Sequence, residues 1–419
     1  MDKDLQKEGH SLAAWFVWMA AVVFYLYEYL ARVAPSVMEQ DLEIAFHTSS
    51  VVLGSALGAY YIVYSPVQLL AGVLFDRFGG KKVLIPASLF VVLGCLLVSL
   101  PSTNLGILAM GRVLMGFGSG FGFIGVMYLA AVWFNPKKLE LISGLTTSIG
   151  ICGALIGQAP LARLTDAVGW QASWAYIAFA GILCTLMLIF FVRETSQSGR
   201  ENRNEDFSIK NFLHGLWCVC KNRQTWIIGF VACTLYTPLV VFGDLWGVQY
   251  VHLIAGITRA KASCVVGMLY IGWLIGGPLA GYVATLIGGR RRLLIVSCLA
   301  TSLILGIIFL LPVKSPLALG ILLFICGIKS SPEVLCFVAG LEANPPFAKG
   351  SAIATVNMIV MLLGGLFQPI VGKLMHSSNA SYDVDSFRFA LTSLPLLALL
   401  GFFAAFFISK KVYKERANS

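Results

Sequence analysis

The sequence predicts an all-α membrane protein of twelve transmembrane helices in two six-helix halves. Three observations carry this. Hydrophobic residues fill 58% of the 419 positions and charged residues only 12%, about half the charged share of a soluble domain. Apolar runs near or above the ~20 residues that cross a bilayer as a helix recur from end to end. A hydrophilic loop, Gly72-Val-Leu-Phe-Asp76-Arg77-Phe-Gly79-Gly-Lys81-Lys82, returns 209 positions later as Gly281-Tyr-Val-Ala-Thr-Leu-Ile-Gly288-Gly289-Arg290-Arg291, an offset of half the chain.

The spans fall at 12–37, 50–74, 82–101, 104–134, 139–163, 170–192, 226–250, 262–286, 292–312, 315–342, 350–374 and 387–409. They read as helices because barrel strands would alternate over about 10 residues. The first span carries Glu28 and Arg32, and together with the second it holds Tyr25, Tyr27, Tyr29, Tyr60, Tyr61 and Tyr64. The fourth carries Arg112 followed by Gly116, Gly118 and Gly120; the fifth carries Gly150, Gly153 and Gly157. Such glycines let helices pack closely. After the sixth span comes the longest polar stretch, 193–225. Its second part sets Phe212, Leu213, Leu216 and Trp217 on one face beside Lys210, Lys221 and Arg223, which suits a short helix on the membrane surface. The seventh span carries Asp244, and the tenth carries Lys329-Ser-Ser-Pro332-Glu333. The chain therefore divides into a first half (1–192), a linker (193–225) and a second half (226–419). The repeat recurs at Asn135-Pro136 and Asn344-Pro345, and at Gly157-Gln158 and Phe367-Gln368. Halves repeated in this way place a substrate site near mid-membrane between them.

The net charge of +10 is a topology signal, not a nucleic-acid patch. With the N-terminus inside, cytoplasmic segments hold 21 of the 30 Lys and Arg, and external loops hold 6. This bias orients both termini to the cytoplasm of a cell membrane. The first apolar run is too long for a signal-peptide core. The Cys residues sit mostly within spans as small hydrophobes, and no disulfide, metal or cofactor is expected. Trp15, Trp18, Trp133 and Trp246 read as interface anchors or packing.

The loop Gly72-x-Leu74-x-Asp76-Arg77-x-Gly79-x-Lys81-Lys82 resembles the loop between helices two and three of the major facilitator superfamily. Arg112-Val-Leu-Met-Gly116-Phe-Gly118-Ser-Gly120 resembles that family's fourth-helix motif. The resemblance covers nearly the whole chain and implies the major facilitator fold. On the residues alone, Gly72 and Gly79 permit close helix approach and a tight turn, and Asp76 suits the positive end of a neighbouring helix or an Arg. The family implies a gating role for Gly72, Asp76, Arg77 and Gly79, with Asp76 meeting the start of the eleventh span near Lys349-Gly350 and favouring the outward-open state. The second copy has Thr285 and Leu286 in place of Asp-Arg, so no equivalent ionic latch is expected there.

Ionisable groups inside a span mark pathways. Glu28 and Arg32 are four residues apart and share a helix face; Lys329 and Glu333 have the same spacing across the Pro332 break. Each half thus offers one acid and one base. The segment Tyr29-Leu-Ala-Arg32-Val-Ala-Pro35-Ser-Val-Met is similar to the first helix of the anion:cation symporter branch, where the resemblance implies that an Arg contacts an anionic substrate. Arg also binds carboxylate in a bidentate fork. Substrate binding is therefore assigned to Arg32, Arg112, Lys329, Tyr29, Tyr60 and Tyr64. Every His lies near a span end or in a loop, so proton coupling falls to a carboxyl: Glu28, Glu333 or Asp244. Glu342 reads as interfacial.

The function that follows is proton-coupled, alternating-access uptake of a small carboxylate-bearing solute: an organic anion, sugar acid, polycarboxylate or citrate-type chelator. The expected partners are that solute, protons and the lipid bilayer, with the chain a monomer. An efflux carrier of the same fold is the alternative, separated by the direction of net transport; an amino-acid or peptide carrier fits a site holding both charges. A substrate-sensing receptor would need a large signalling tail, and no catalytic constellation suggests an enzyme.

Overall fold

The computed structural model describes residues 2–134, 139–193, 209–345, 348–378 and 384–409. Among these described residues, twelve helical spans are long and apolar enough to cross a bilayer: Leu12–Val37, Ser50–Phe75, Gly80–Ser99, Leu105–Trp133, Leu145–Val168, Trp170–Phe191, Arg223–Ala255, Arg259–Leu286, Arg290–Leu310, Pro316–Ala343, Ser351–Met375 and Val384–Ala405. Their bounds follow the sequence expectation to within six residues, the largest shift being at the fifth span.

Several spans are interrupted where proline removes a backbone donor. The first tightens into a 3-10 turn over Ala34–Val37, containing Pro35. The seventh widens into a π-helix over Pro238–Trp246. The tenth tightens over Ser331–Glu333, around Pro332. These three interruptions flank or contain Arg32, Asp244 and Glu333.

The halves meet where the second span packs on the eleventh, the first on the seventh, and the fifth on the eighth. One end of the bundle, termed here the basic end, carries Arg77, Lys81, Lys82 and Arg290 to Arg292. The opposite end carries a short helix, Glu39–Phe46. At this opposite end the halves are pressed together. A methyl group on Gly54 would lie 3.2 Å from the Gln368 carbonyl, and one on Gly372 would lie 2.6 Å from the Ser50 carbonyl. Gly372 permits the helix backbones to approach more closely than a side chain there would allow, and at Gly54 an added methyl would have to displace its neighbours by a few tenths of an ångström. Arg259 of the second half clasps Asp41 of the first at 2.5 and 3.3 Å.

Toward the basic end the contact lapses. Gln68 and Asn357 still share a hydrogen bond of 2.5 Å, but a Cβ on Gly72, one turn on, would meet nothing within 4 Å. The same holds at Gly281, its counterpart in the repeat. The close approach expected at Gly72 is therefore absent here. Gly79 does form the expected turn, with φ +82°. Arg77 is exposed, its guanidinium 5.3 Å from the Phe78 ring. The side chains of Asp76 and Lys349 lie outside the described residues. Lys81 caps the end of the sixth span through the Ile189 carbonyl, 2.6 Å away. In the second copy, Arg290 pairs with Glu342 at 2.8 Å, an ionic contact at the level where no latch was expected.

The linker forms a helix, Ile209–Lys221, seated on the start of the eleventh span through Gly215 and Val219 against Ala348, Ser351 and Ala352. Trp217 is 60% exposed and stacks under Lys221, 4.8 Å away. The side chains of Phe212 and Leu213, expected beside it, are outside the described residues. Trp18 and Trp246 are fully buried and belong to packing.

Candidate functional site

Two buried polar clusters sit side by side where the halves meet. The first is built on the i, i+4 pair of the first span. Arg32 Nη2 donates to Glu28 Oε1 at 3.1 Å and Oε2 at 3.2 Å. Tyr60 and Tyr64, one turn apart on the second span with rings stacked 5.5 Å apart, complete the cage. Tyr60 Oη donates to Glu28 Oε2 at 3.0 Å and accepts from Arg32 Nε at 3.3 Å. Tyr64 Oη accepts from Arg32 Nη2 at 3.4 Å. The Tyr29 ring lies 4.1 Å from the guanidinium carbon, a cation–π distance. Nη1 of Arg32 carries no hydrogen bond among the described residues, so one edge of the planar fork is open to a further acceptor.

The second cluster belongs to Asp244 on the π-helix. Its carboxylate accepts from Tyr61 Oη of the second span and from Tyr270 Oη of the eighth, the latter at 2.6 Å. Adjacent residues Tyr60 and Tyr61 thus serve one cluster each. Tyr29 and Tyr236 join hydroxyls at 2.6 Å between the first and seventh spans. Trp273 lies edge-on to Tyr236 at 6.4 Å, and its buried indole N–H has no partner among the described residues.

The assigned residues separate by environment. Glu28, Arg32, Tyr29, Tyr60 and Tyr64 form one network. Arg112 is buried beside them, 4.6 Å from the Tyr60 ring, but it donates to the backbone carbonyls of Leu57, Ala31 and Arg32 at 3.3, 3.2 and 3.4 Å. It braces the first, second and fourth spans against one another.

Lys329 and Glu333 do not pair. Lys329 is exposed, whereas Glu333 is 3% exposed and has no hydrogen bond or ion pair among the described residues. The 3-10 turn explains the departure from the expected shared face. It advances about 120° per residue where an α-helix advances about 100°, so Glu333 swings away from Lys329.

The sequence reading missed two residues that the structure makes prominent. The π-helix leaves carbonyls without their usual α-helical partners. Gln158 Nε2 donates to the Gly243 carbonyl at 3.1 Å and to Ser36 Oγ at 3.2 Å. Gln368 Nε2 donates to the Val240 carbonyl at 2.8 Å. One glutamine comes from each half, and they are the pair aligned by the internal repeat. That alignment was the available signal.

The family model described as Major Facilitator Superfamily matches residues 12–369. The chain is 28% identical over 145 residues to "Probable anion transporter 5" of Arabidopsis thaliana, covering 35% of this chain and 34% of that protein. It is 22% identical over 308 residues to the hexuronate transporter of Bacillus subtilis (strain 168), covering 69% and 70%. Among solved structures, that of a D-xylose-proton symporter aligns with a TM-score of 0.73 at 16% identity over 94% of this chain and 97% of the other, a likeness of fold.

Proposed function

The chain belongs to the major facilitator superfamily, and on that premise we propose a secondary active transporter that works by alternating access and takes up a small carboxylate-bearing solute, of the sugar-acid type, together with protons. The observation that carries this reading is the division of Arg32. Its Nη2 is held by Glu28, while Nη1 is unengaged and the Tyr29 ring covers one face. A substrate carboxylate docking on that fork competes with Glu28 for one cation. Protonating Glu28 releases Arg32 to the substrate; losing the proton lets Glu28 reclaim Arg32 and expel it. An empty carrier that has just released its load matches this geometry, with Glu28 back on Arg32 and the mouth opposite the basic end closed. The Lys/Arg excess at the basic end supports a cytoplasmic orientation for it, which makes the closed mouth the outer one.

Two further observations favour a hydroxylated acid. The unpaired Trp273 indole N–H beside Tyr236 is a ready donor for a substrate hydroxyl. A relative covering 69% of this chain is a hexuronate transporter. The test is a thermal-shift screen of purified protein against hexuronates, aldarates, simple monocarboxylates and amino acids, followed by uptake into liposomes. A ligand stabilises the native state it binds. Arg32→Ala is expected to abolish the shift, and Arg32→Lys to restore it in part, since an ammonium lacks the planar fork. Glu28→Gln is expected to keep downhill exchange and lose pH-driven accumulation. Normal binding by Arg32→Ala would refute the assignment.

A further inference from the structure

We propose that Glu39 is a proton-binding residue at the closed mouth, separate from the central carboxylates, and that its protonation locks this mouth shut. Glu39 begins the short Glu39–Phe46 helix that follows the first span. Its side chain is 2% exposed, and neither carboxylate oxygen has a hydrogen-bond partner among the described residues. Two residues on, Asp41 is clasped by Arg259 of the other half, whose Nη1 also reaches the Val37 carbonyl at 3.3 Å. This ion pair straps the halves together above Glu39.

An ionised Glu39 disturbs that arrangement in two ways. A buried carboxylate without donors is costly, and a second anion beside Asp41 competes for the one Arg259. A neutral Glu39 removes both penalties. The charged groups acting on it are Glu43 and Asp41 from its own helix and Arg259 from the second half. On the elements packed nearby, Arg163 and Asp166 are exposed, and His252 is occupied by the Ile257 carbonyl at 2.5 Å. Burial first, then Glu43, holds the Glu39 carboxyl well above the usual carboxylate range; burial pushes Glu43 up to about 8.

When the mouth opens, Glu39 is hydrated and its pKa returns toward about 4.3. The closed mouth therefore binds the proton more tightly than the open one. Its advantage is full below the open-state value and is lost as pH rises through the closed-state value. Within that window each pH unit changes the closed-to-open ratio by up to about tenfold. Acid on this side drives closure before any substrate is involved, which goes beyond the central mechanism.

The test uses the full-length protein in nanodiscs without substrate, its ten native cysteines replaced by serine. Ser50, buried in the closed mouth, is changed to Cys, and its methanethiosulfonate labelling rate is divided by that of an exposed Thr103→Cys reference at the same pH. Labelling is expected to be at least tenfold faster at pH 8 than at pH 5. Adding Glu39→Gln is expected to give slow labelling at both pH values, and Asp41→Asn fast labelling at both. Thermal unfolding checks that each variant is folded, and Glu39→Met supplies a second neutral replacement if Gln is not tolerated. The proposal is overturned if the parent shows no pH dependence, if the neutral variants keep it, or if Asp41→Asn labels as slowly as the parent at pH 5.

Discussion

Arg32 and Arg112 are both buried cations touching the face of Tyr60, yet they answer to different partners. Arg32 is bound to side chains that can exchange it, whereas Arg112 is bound to backbone carbonyls of two other spans. Arg112→Leu is accordingly expected to destabilise the fold by about 1–3 kcal/mol, the cost of leaving buried carbonyls without this donor. The readout is lower yield and a lower unfolding temperature, with ligand affinity little changed in the surviving folded fraction. Loss of affinity without loss of stability would assign Arg112 to substrate instead. The sequence singles out both arginines, because a charge inside a span is seldom idle. It did not show which carbonyls one of them would find, since those come from residues 55 to 81 positions away. Glu39 escaped notice because it lies just past the end of the first apolar run, where a sequence reader sees only a loop.

The seventh span shows what the residue string hides at the scale of an element. Hydropathy located it, but not its π-helix, which depends on Pro238 and on outside donors for the freed carbonyls. Gln158 and Gln368 supply those donors from opposite halves. Replacing either with Leu is expected to leave a buried carbonyl unpaired, at about 1–3 kcal/mol, and to disturb Asp244 next to Gly243. Expression and insertion are expected to persist while uptake falls. The double variant is expected to lose less than the sum of the two, because both residues hold one element. Strict additivity in a stability and uptake double-mutant cycle would show them acting independently. Lys329 and Glu333 teach the same lesson: an i, i+4 spacing implies a shared face only while the helix stays α, and Pro332 ends that.

On the scale of the whole molecule, the two halves were legible in the sequence through its internal repeat. The conformational state was not legible, because one chain must encode both open and closed mouths. A Cβ at Gly72 or Gly281 would meet open space, and the alternating access proposed above would bring neighbouring helices toward this level in turn. A large side chain placed there is accommodated now and obstructs closure later. Gly72→Leu is expected to bind substrate with near-normal affinity while its transport rate falls by about tenfold or more. Thermal-shift titration and liposome uptake separate the two effects. Unimpaired uptake would mean that the second span does not approach its neighbours at this level.

The glycine seam of the second and eleventh spans has a bearing on energy conservation as well. Close backbone approach at Gly54, Gly58 and Gly372, with the Tyr61 side chain against Gly365, narrows the path for water along the shut mouth. A carrier powered by an ion gradient wastes that gradient if water bridges both sides even briefly. At Gly365 an added methyl would collide with Tyr61, so Gly365→Ala must wedge the seam apart. The variant is expected to insert and fold, yet to pass protons without substrate, collapsing an imposed pH gradient in dye-loaded liposomes faster than the parent protein. The absence of side chains along this seam would then be what keeps the membrane electrically tight while the carrier cycles.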